Sequence, residues 1–242
     1  MARNTRTPAR ILIVTTSTPA YETAGYRTGL WLSELTHFYD VVVEAGHDVT
    51  IASIDGGLVP LDPESLSLPM LAMGGTKRRY RDASFMDLLD QTPTLEDVAD
   101  QDWDAIYLTG GHGTMFDFPH HEVLGSILAT TLEDGGVIAA VCHGPAGFVG
   151  ARLSDGSPLV AGRHVTGFSW PEEKLAKRDK AVPFRLDKAL KAEGAKYTQA
   201  LLPMAEKVVV DGVLVTGQNP TSAAGVGKAV VKLLKKNRVA SR

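Results

Sequence analysis

At 242 residues the chain is long enough to form a sizeable hydrophobic core, and its 44% hydrophobic and 22% charged residues are ordinary for a globular protein. The formal net charge of −3 gives no excess of positive charge that would favour nucleic acid or an anionic membrane surface. No apolar run has the length that a bilayer-spanning helix needs, so we expect neither a nucleic-acid nor a membrane partner.

The N-terminal segment and the cysteine content indicate the cellular compartment. Arg3, Arg6 and Arg10 are not followed by the apolar segment of a secretory signal. Cys142 is the only cysteine, so the chain cannot form an internal disulfide. We therefore expect a cytoplasmic protein. A lone cysteine is by default a small buried apolar residue, so its neighbours in the sequence have to indicate whether it is reactive.

The predicted elements alternate between strand and helix. In chain order they begin with a strand at Arg10–Thr15, a helix at Leu30–Ala45 that stops before Gly46, and a strand at Asp48–Ser53. Residues 54–101 are rich in proline, glycine and charged side chains and show little periodicity. We interpret them as an insertion with short helical pieces.

The second part of the chain continues the alternation and adds a hairpin. Its predicted elements, in chain order, are the strand Asp104–Thr109, the helix Val123–Glu133, the strand Val137–Val141, a helix beginning within Gly144–Gly150, the hairpin strands Lys207–Val210 and Val213–Thr216, and the helix Pro220–Lys236. This order predicts an α/β fold, with a mainly parallel sheet covered by helices on both faces, in a single domain over residues 1–242. The functional site of such a sheet lies beyond the carboxyl ends of its strands.

One strand-to-helix junction has the pattern of a nucleophile elbow. Ala140 and Gly144, two residues before and two after Cys142, are small, as the strained turn of an elbow requires. The positive end of the following helix would lie at the sulfur and lower the thiol pKa from about 8.5 to about 3.5–7.5. His143 is adjacent and could take up a proton. We therefore predict that Cys142 is a nucleophile with a low pKa.

A glycine-rich turn follows another predicted strand. The backbone N–H groups of Gly110–Thr114 could line an oxyanion site that faces Cys142. The turn is not a phosphate-binding P-loop, because no Gly-Lys-Ser/Thr follows it. His112 and the adjacent pair His120 and His121 do not have the spacing of zinc ligands, so we expect structural or surface roles for them and no metal.

Both motifs resemble those of the ThiJ/PfpI superfamily, whose fold is flavodoxin-like and is shared with class I glutamine amidotransferases. The resemblance is greatest to the glyoxalase III branch, which includes heat-shock chaperones, and covers roughly Arg10 to Leu234. The segments that carry it are Thr28-Gly29 with Glu34, Gly111-His112-Gly113-Thr114-Met115-Phe116-Asp117, Ala139-Ala140-Val141-Cys142-His143-Gly144-Pro145, Val165-Thr166-Gly167-Phe168 with Glu172-Glu173, and Leu214-Val215-Thr216-Gly217-Gln218-Asn219-Pro220.

The resemblance implies catalytic roles for particular residues. Cys142 matches the nucleophile, His143 its partner imidazole, and Glu34 the carboxyl group that hydrogen-bonds the sulfur. The acidic residue that orients the histidine comes from the pair Glu172 and Glu173, and the spacing favours Glu173. Taken without the resemblance, Glu34 is an ordinary solvated helix residue, and one of the paired glutamates simply favours the first turn of a helix.

The resemblance also implies an oxyanion hole and a substrate-binding loop. Backbone N–H groups of Gly111 and His143 would form the hole. His112 and Gly113 complete the turn that we expect to contact the substrate. Residues 54–101 match the branch poorly, and we expect them to shape the pocket mouth or the oligomer surface.

The implied function is a lyase of the glyoxalase III type. Such an enzyme converts methylglyoxal and related 2-oxoaldehydes to lactate or 2-hydroxy acids without glutathione, cofactor or required metal, and we expect a homodimer. The alternatives are a holdase chaperone, a protein deglycase or redox-stress protein, and an intracellular peptidase. A glutaminase would need a His-x-Glu pair late in the chain, and no histidine follows His164.

Overall fold

The computed structural model describes residues 8–22 and 24–240, so Arg3 and Arg6, used above in the expectation about a signal segment, lie outside the described residues. The strands are β1 (Arg10–Thr15), β2 (Asp48–Ser53), β3 (Ala105–Leu108), β4 (Val137–Val141), β5 (His164–Val165), β6 (Lys196–Tyr197), β7 (Val208–Asp211) and β8 (Leu214–Gly217).

Helices of very different length connect these strands. They are α1 (Leu32–Glu44), α2 (Leu68–Leu71), α3 (Thr76–Tyr80), α4 (Ala83–Met86), α5 (Leu95–Val98), α6 (Thr114–Asp117), α7 (Glu122–Glu133), α8 (Trp170–Leu175), α9 (Leu186–Ala192) and α10 (Ala223–Ala240). Short 3-10 helices cover Pro63–Leu66, Asp87–Leu89, Gly144–Phe148 and Pro220–Ser222. Within the described chain, no helix combines the length and apolar character needed to cross a membrane.

Six strands form the central sheet in the order β2-β1-β3-β4-β8-β7. All neighbouring pairs are parallel except β7 and β8, which pair antiparallel as the edge hairpin predicted around Asp211-Gly212. Strands β3, β4 and β8 are therefore adjacent in the middle of the sheet, and their carboxyl ends meet at one edge. Strands β5 and β6 form a separate parallel pair.

Hydrophobic side chains project from both faces of this sheet. From β1, Leu12 and Val14 enter one core cluster with residues of α7, while Ile11 and Ile13 enter the other with residues of α1 and α10. Because successive side chains of a strand point to opposite faces, a continuous apolar strand of this kind is buried on both sides. The predicted mainly parallel sheet with helices on both faces is confirmed.

Most predicted elements are present, with bounds that are identical or shifted by a few residues, but the segment after β4 differs. Strands β1, β2 and β4 have the predicted bounds, and the insertion contains the predicted short helical pieces. The chain after His143 forms only the five-residue 3-10 helix Gly144–Phe148, where a longer helix was predicted. Its glycines pack tightly there, since a Cβ on Gly147 would lie 2.7 Å from the side chain of Leu108.

Candidate active site

The turn at the end of β4 has the geometry of an elbow. Cys142 has a φ of +59°, an unusual value for a residue other than glycine that costs on the order of 1–3 kcal/mol. Its backbone is held on both sides, because its N–H donates to the Gly217 carbonyl at 2.9 Å and its carbonyl accepts from the Phe168 N–H at 2.7 Å. A Cβ on Gly144 would lie 2.5 Å from the Leu108 carbonyl oxygen, so this position requires glycine. The predicted elbow is confirmed.

A chain of side-chain contacts runs from the sulfur of Cys142 to α8. Cys142 Sγ lies 3.3 Å from His143 Nδ1, and His143 Nε2 lies 2.8 Å from Glu173 Oε2. An ionised carboxylate only accepts hydrogen bonds, so in the neutral form of His143 the proton is on Nε2 and the lone pair of Nδ1 faces the sulfur. This is the tautomer that a general base beside a thiol needs.

A second imidazole reaches the same carboxylate. His112 Nε2 lies 2.7 Å from Glu173 Oε1, and the rings of His112 and His143 have centroids 4.1 Å apart. His112 was expected in the oxyanion and substrate-binding turn, and this side-chain contact was not predicted. No spacing along the chain could have shown it, because 61 residues separate His112 from Glu173.

Both histidines affect the charge of the central carboxyl group. Burial alone would raise the pKa of Glu173, but the charge of His143 and hydrogen bonds from both histidines lower it below its ordinary value. Burial lowers the pKa of His112, and the neighbouring His143 lowers it further. The site therefore contains an ionised Glu173 carboxylate with a neutral His112 beside it.

Glu34 also lies near the sulfur, but its pKa is shifted in the opposite direction to that of Glu173. It is fully buried in the first turn of α1, and burial raises its pKa to about 8. The Cys142 thiol and the Gly110 amide lie close enough to lower that pKa in part. Within the part of the chain that the structure describes, however, neither carboxyl oxygen forms a hydrogen bond of normal geometry. Glu34 is therefore mainly a neutral carboxylic acid at neutral pH.

The predicted low pKa of Cys142 is wrong in this environment. Burial raises the pKa of the thiol well above its ordinary value, and the charge that Glu34 acquires when it ionises above about pH 8 raises it further. Cys142 is only 3% exposed, and the short 3-10 helix after it supplies little of the dipole that the prediction assumed. The resting sulfur is a thiol, and a nucleophilic role would require transfer of its proton to His143 during attack.

Glu172 and Glu173 are adjacent but have different surroundings. The Oε2 atom of Glu172 accepts from the N–H and the hydroxyl of Ser169, and Oε1 accepts from Gln218 Nε2 and Asn219 Nδ2, both at 2.9 Å. Glu172 is thus a buried link between α8 and the end of β8. Sequence analysis offered the first turn of a helix as the ordinary role for one of this pair. Ser169 three residues before Glu172 was a capping-box signal in the sequence.

The glycine-rich turn is fixed by close backbone contacts. Gly111 has a φ of +105°, and a Cβ there would lie 2.1 Å from the Gly29 carbonyl oxygen. A Cβ on Gly113 would lie 2.7 Å from Thr16 Oγ1. Among the described residues, the backbone N–H groups of Gly111 and His143 have no acceptor, so both remain able to bind a substrate oxygen.

Aromatic side chains enclose the two imidazoles. Phe168 packs on the His143 ring at 4.6 Å, and Tyr21 packs on the His112 ring at 5.5 Å, measured between centroids. Tyr21 is 3% exposed, and Arg178 lies over its ring. Sequence analysis did not single out Tyr21, because it lies in the loop after β1, for which no element was predicted. The site is consequently small and mostly shielded from water.

The same three side chains that form the hydrogen bonds also offer metal-ligand atoms. One atom each from His112, His143 and Glu173 lies within 4.8 Å of the others, a grouping that the sequence spacing did not reveal. Both carboxylate oxygens and both Nε2 atoms already take part in hydrogen bonds, so an ion would have to replace those bonds. The expectation of a reaction without a metal stays a prediction.

Comparison with known proteins places this geometry in a family. A sequence model of the DJ-1/PfpI family matches residues 28–233, which include Cys142, His143 and Glu173. The chain belongs to the DJ-1/PfpI family. It is 32% identical to the glutathione-independent glyoxalase HSP31 of Saccharomyces cerevisiae, over 94% of this chain and 99% of that protein. It is 31% identical to glyoxalase 3 of Candida albicans, over 91% of this chain and 96% of that protein.

Solved structures show the same fold. The crystal structure of glyoxalase III from Candida albicans matches with a TM-score of 0.84 and 29% identity, over 93% of this chain and 97% of that one. The 24 kDa rapid encystment protein of Francisella tularensis matches with a TM-score of 0.88 and 35% identity, over 93% of this chain and 99% of that one.

Proposed function

We propose that this protein is a glutathione-independent glyoxalase that converts methylglyoxal and related 2-oxoaldehydes to 2-hydroxy acids. The observation that carries the proposal is the contact series Cys142–His143–Glu173, with sulfur to nitrogen 3.3 Å and nitrogen to oxygen 2.8 Å, at an elbow beside the neutral acid Glu34. Relatives at about 30% identity over most of the chain are named glyoxalases, which supports an enzyme of this kind.

The first step generates the nucleophile at the moment of attack. His143 Nδ1 takes the thiol proton while Cys142 Sγ forms a bond to the aldehyde carbon. The His143 imidazolium then passes this proton to the aldehyde oxygen, so the product is a neutral hemithioacetal and His143 is again a base. The N–H groups of Gly111 and His143 stabilise negative charge on that oxygen, and Glu173 stabilises the imidazolium.

The second step moves a hydrogen within the bound substrate. His143 removes the proton from the carbon that carries sulfur and passes it to the keto oxygen, which gives an enediol. The hydroxyl group on the sulfur-bearing carbon then loses its proton, and the neighbouring carbon gains one through His143. The result is a 2-hydroxyacyl thioester of Cys142. Water cleaves the thioester, which restores the thiol and releases the 2-hydroxy acid. The net reaction adds one water to the 2-oxoaldehyde, and we assign it to the lyases.

The shape of the site favours a small substrate over a peptide. Cys142, His143 and Glu173 are each less than 5% exposed, and the rings of Tyr21 and Phe168 cover the imidazoles. A peptide bond would have to reach a sulfur that is nearly inaccessible. A compact 2-oxoaldehyde needs only a space the size of a few atoms, so we favour the glyoxalase over the peptidase.

The direct test is to incubate the purified protein with methylglyoxal in the absence of glutathione and to measure lactate. Formation of lactate that is lost in Cys142→Ser supports the proposal. Absence of lactate from a folded wild-type protein, or equal lactate from the variant, would overturn it. Size measurement in solution tests the homodimer, which stays a prediction.

A further inference from the structure

Glu173 forms hydrogen bonds with two imidazoles, one more than the orienting role requires. Its Oε2 faces His143 Nε2 at 2.8 Å and its Oε1 faces His112 Nε2 at 2.7 Å, so each oxygen has its own donor. The two histidines come from different elements: His143 follows β4, and His112 lies between β3 and α6. Two short hydrogen bonds, one to each oxygen, fix both the position and the rotation of the carboxylate.

The position of His112 is determined by its surroundings. It is 4% exposed, and the adjacent Gly111 and Gly113 are wedged against the backbone and side chains of other loops. Tyr21 and Phe168 contact its ring at 5.5 Å and 6.1 Å between centroids. The imidazole therefore has little freedom to turn away from Glu173.

The protonation state of His112 sets the direction of its hydrogen bond. Burial and the neighbouring His143 lower the pKa of His112, so its ring is neutral near neutral pH and has one proton. Since Glu173 is an acceptor, that proton is on Nε2. A neutral donor stabilises the carboxylate without repelling the imidazolium that His143 becomes, 4.1 Å away, when it takes the thiol proton.

We propose that His112 is a positioning residue of the reaction, which acts by donating Nε2–H to Glu173 and thereby holds the carboxylate against His143. The relay then has four members, Cys142, His143, Glu173 and His112. Loss of His112 would leave Oε1 buried without a donor, which is costly for an ionised group and allows the carboxylate to rotate. This inference rests on the glyoxalase activity proposed above.

The test is a double-mutant cycle between His112→Leu and Glu173→Gln, measured as lactate formation. His112→Leu should lower kcat by roughly tenfold to a hundredfold, in the lower range for groups that assist proton transfer, with little change in KM. In the Glu173→Gln background the same substitution should have almost no further effect, because the group through which His112 acts is gone. His112→Gln, whose amide can still donate, should restore most of the rate.

Two controls separate a positioning role from simple damage. His164→Leu removes an exposed histidine that also pairs with a carboxylate, that of Asp211, and should leave kcat unchanged. If His112→Leu does not fold, as judged by circular dichroism, His112→Asn replaces it in the cycle, since its shorter amide cannot reach Glu173. Additive effects in the cycle, or a glutamine variant as slow as the leucine variant, would overturn the proposal.

One measurement does not depend on glyoxalase activity. Nitrogen-15 NMR of labelled histidine should show the proton of His112 on Nε2 at neutral pH, and Glu173→Gln should change that signal. A proton on Nδ1 in the wild type would overturn the proposal. If the wild-type protein forms no lactate, the glyoxalase proposal fails, and the NMR result alone then decides whether His112 donates to Glu173.

Discussion

Glu34 and Glu173 are both buried carboxyl groups near the same sulfur, yet their environments move their pKa values in opposite directions. Glu34 has no hydrogen bond of normal geometry to a donor among the described residues, and burial raises its pKa to about 8. Glu173 accepts from two imidazoles and its pKa is lowered despite burial. Burial alone therefore does not set the charge of a carboxyl group, because the donors around it can outweigh desolvation.

This difference supports the proposal that the two groups have complementary roles. A neutral Glu34 can donate to the sulfur as charge develops there, while an ionised Glu173 can stabilise the imidazolium of His143. Pairs of groups with pKa values pushed apart are a recurrent way of dividing acid and base roles within one site. The following predictions test the division, in order of expected effect.

The largest effect is expected from Cys142→Ser. A hydroxyl is far less nucleophilic than a thiol here, so lactate formation should fall on the order of 10⁴-fold or more. The substitution is nearly isosteric, and circular dichroism should show an unchanged fold. Activity within a few-fold of the wild type would exclude Cys142 as the nucleophile.

Glu173→Gln should follow, with a loss in kcat on the order of 10²-fold or more, because an amide cannot stabilise the imidazolium and favours the wrong tautomer. The matched variant is Glu172→Gln, next to it in the same helix turn and equally buried, which should reduce kcat much less. Comparable losses in both variants would mean that Glu173 is not the orienting group.

Glu172→Gln is instead expected to affect stability. Its carboxylate accepts hydrogen bonds from the side chains of Ser169, Gln218 and Asn219, and an amide would direct donors at donors. The cost should be about 1–3 kcal/mol in the free energy of unfolding. Urea unfolding of the wild type and the variant measures it, and a difference near zero would show that the network contributes little.

Glu34→Gln should change how stability depends on pH. The folded protein binds a proton at Glu34 up to about pH 8, whereas the ordinary value of 4.5 applies in the unfolded chain. The contribution of Glu34 to folding stability therefore falls as pH rises between these two values, by on the order of a few kcal/mol. The glutamine variant should lack this fall.

The measurement for Glu34 is urea unfolding at several pH values. Glu44→Gln, an exposed glutamate at the other end of α1, is the control and should behave as the wild type. Every carboxyl group except Glu34 is common to the wild type and Glu34→Gln, so the difference between their curves isolates Glu34. Parallel curves for the wild type and Glu34→Gln would contradict a raised pKa.

The smallest effect is expected from chelation. Because the ligand atoms of His112, His143 and Glu173 are already joined by hydrogen bonds, dialysis against a chelator should leave the rate of lactate formation unchanged. A loss of rate that added zinc restores would show that these three residues hold a metal ion and do not act through their hydrogen bonds.

The sequence was most informative where the physical signal is local. The elbow could be predicted because Ala140 and Gly144 satisfy a steric requirement within five residues, and the sheet because its strands are short apolar runs. The pair of hydrogen-bond donors to Glu173 could not be predicted, since only the folding of the chain brings His112 and His143 next to this carboxylate. The thiol pKa was predicted wrongly because burial and Glu34, which the local sequence does not reveal, outweigh the dipole of the short helix that follows.

The adjacent glutamates show the same limit at close range. Sequence spacing favoured Glu173 over Glu172, and the structure brings Glu173 to both histidines. The spacing in the sequence could not show that Glu172 is buried as well, because its hydrogen-bond partners Gln218 and Asn219 lie at a strand end more than forty residues away. Which of two neighbouring side chains points at a site depends on the rotation of α8, and tertiary packing sets that rotation.

The most direct test of the account is a carbon-13 NMR titration of the glutamate side-chain carboxyl carbons, with Glu34→Gln and Glu173→Gln used for assignment. The account predicts that the Glu34 carbon titrates near pH 8 and that the Glu173 carbon stays in its ionised position down to pH values below the ordinary range of glutamate. Titration of both carbons together, within about one unit of the ordinary glutamate value, would contradict it.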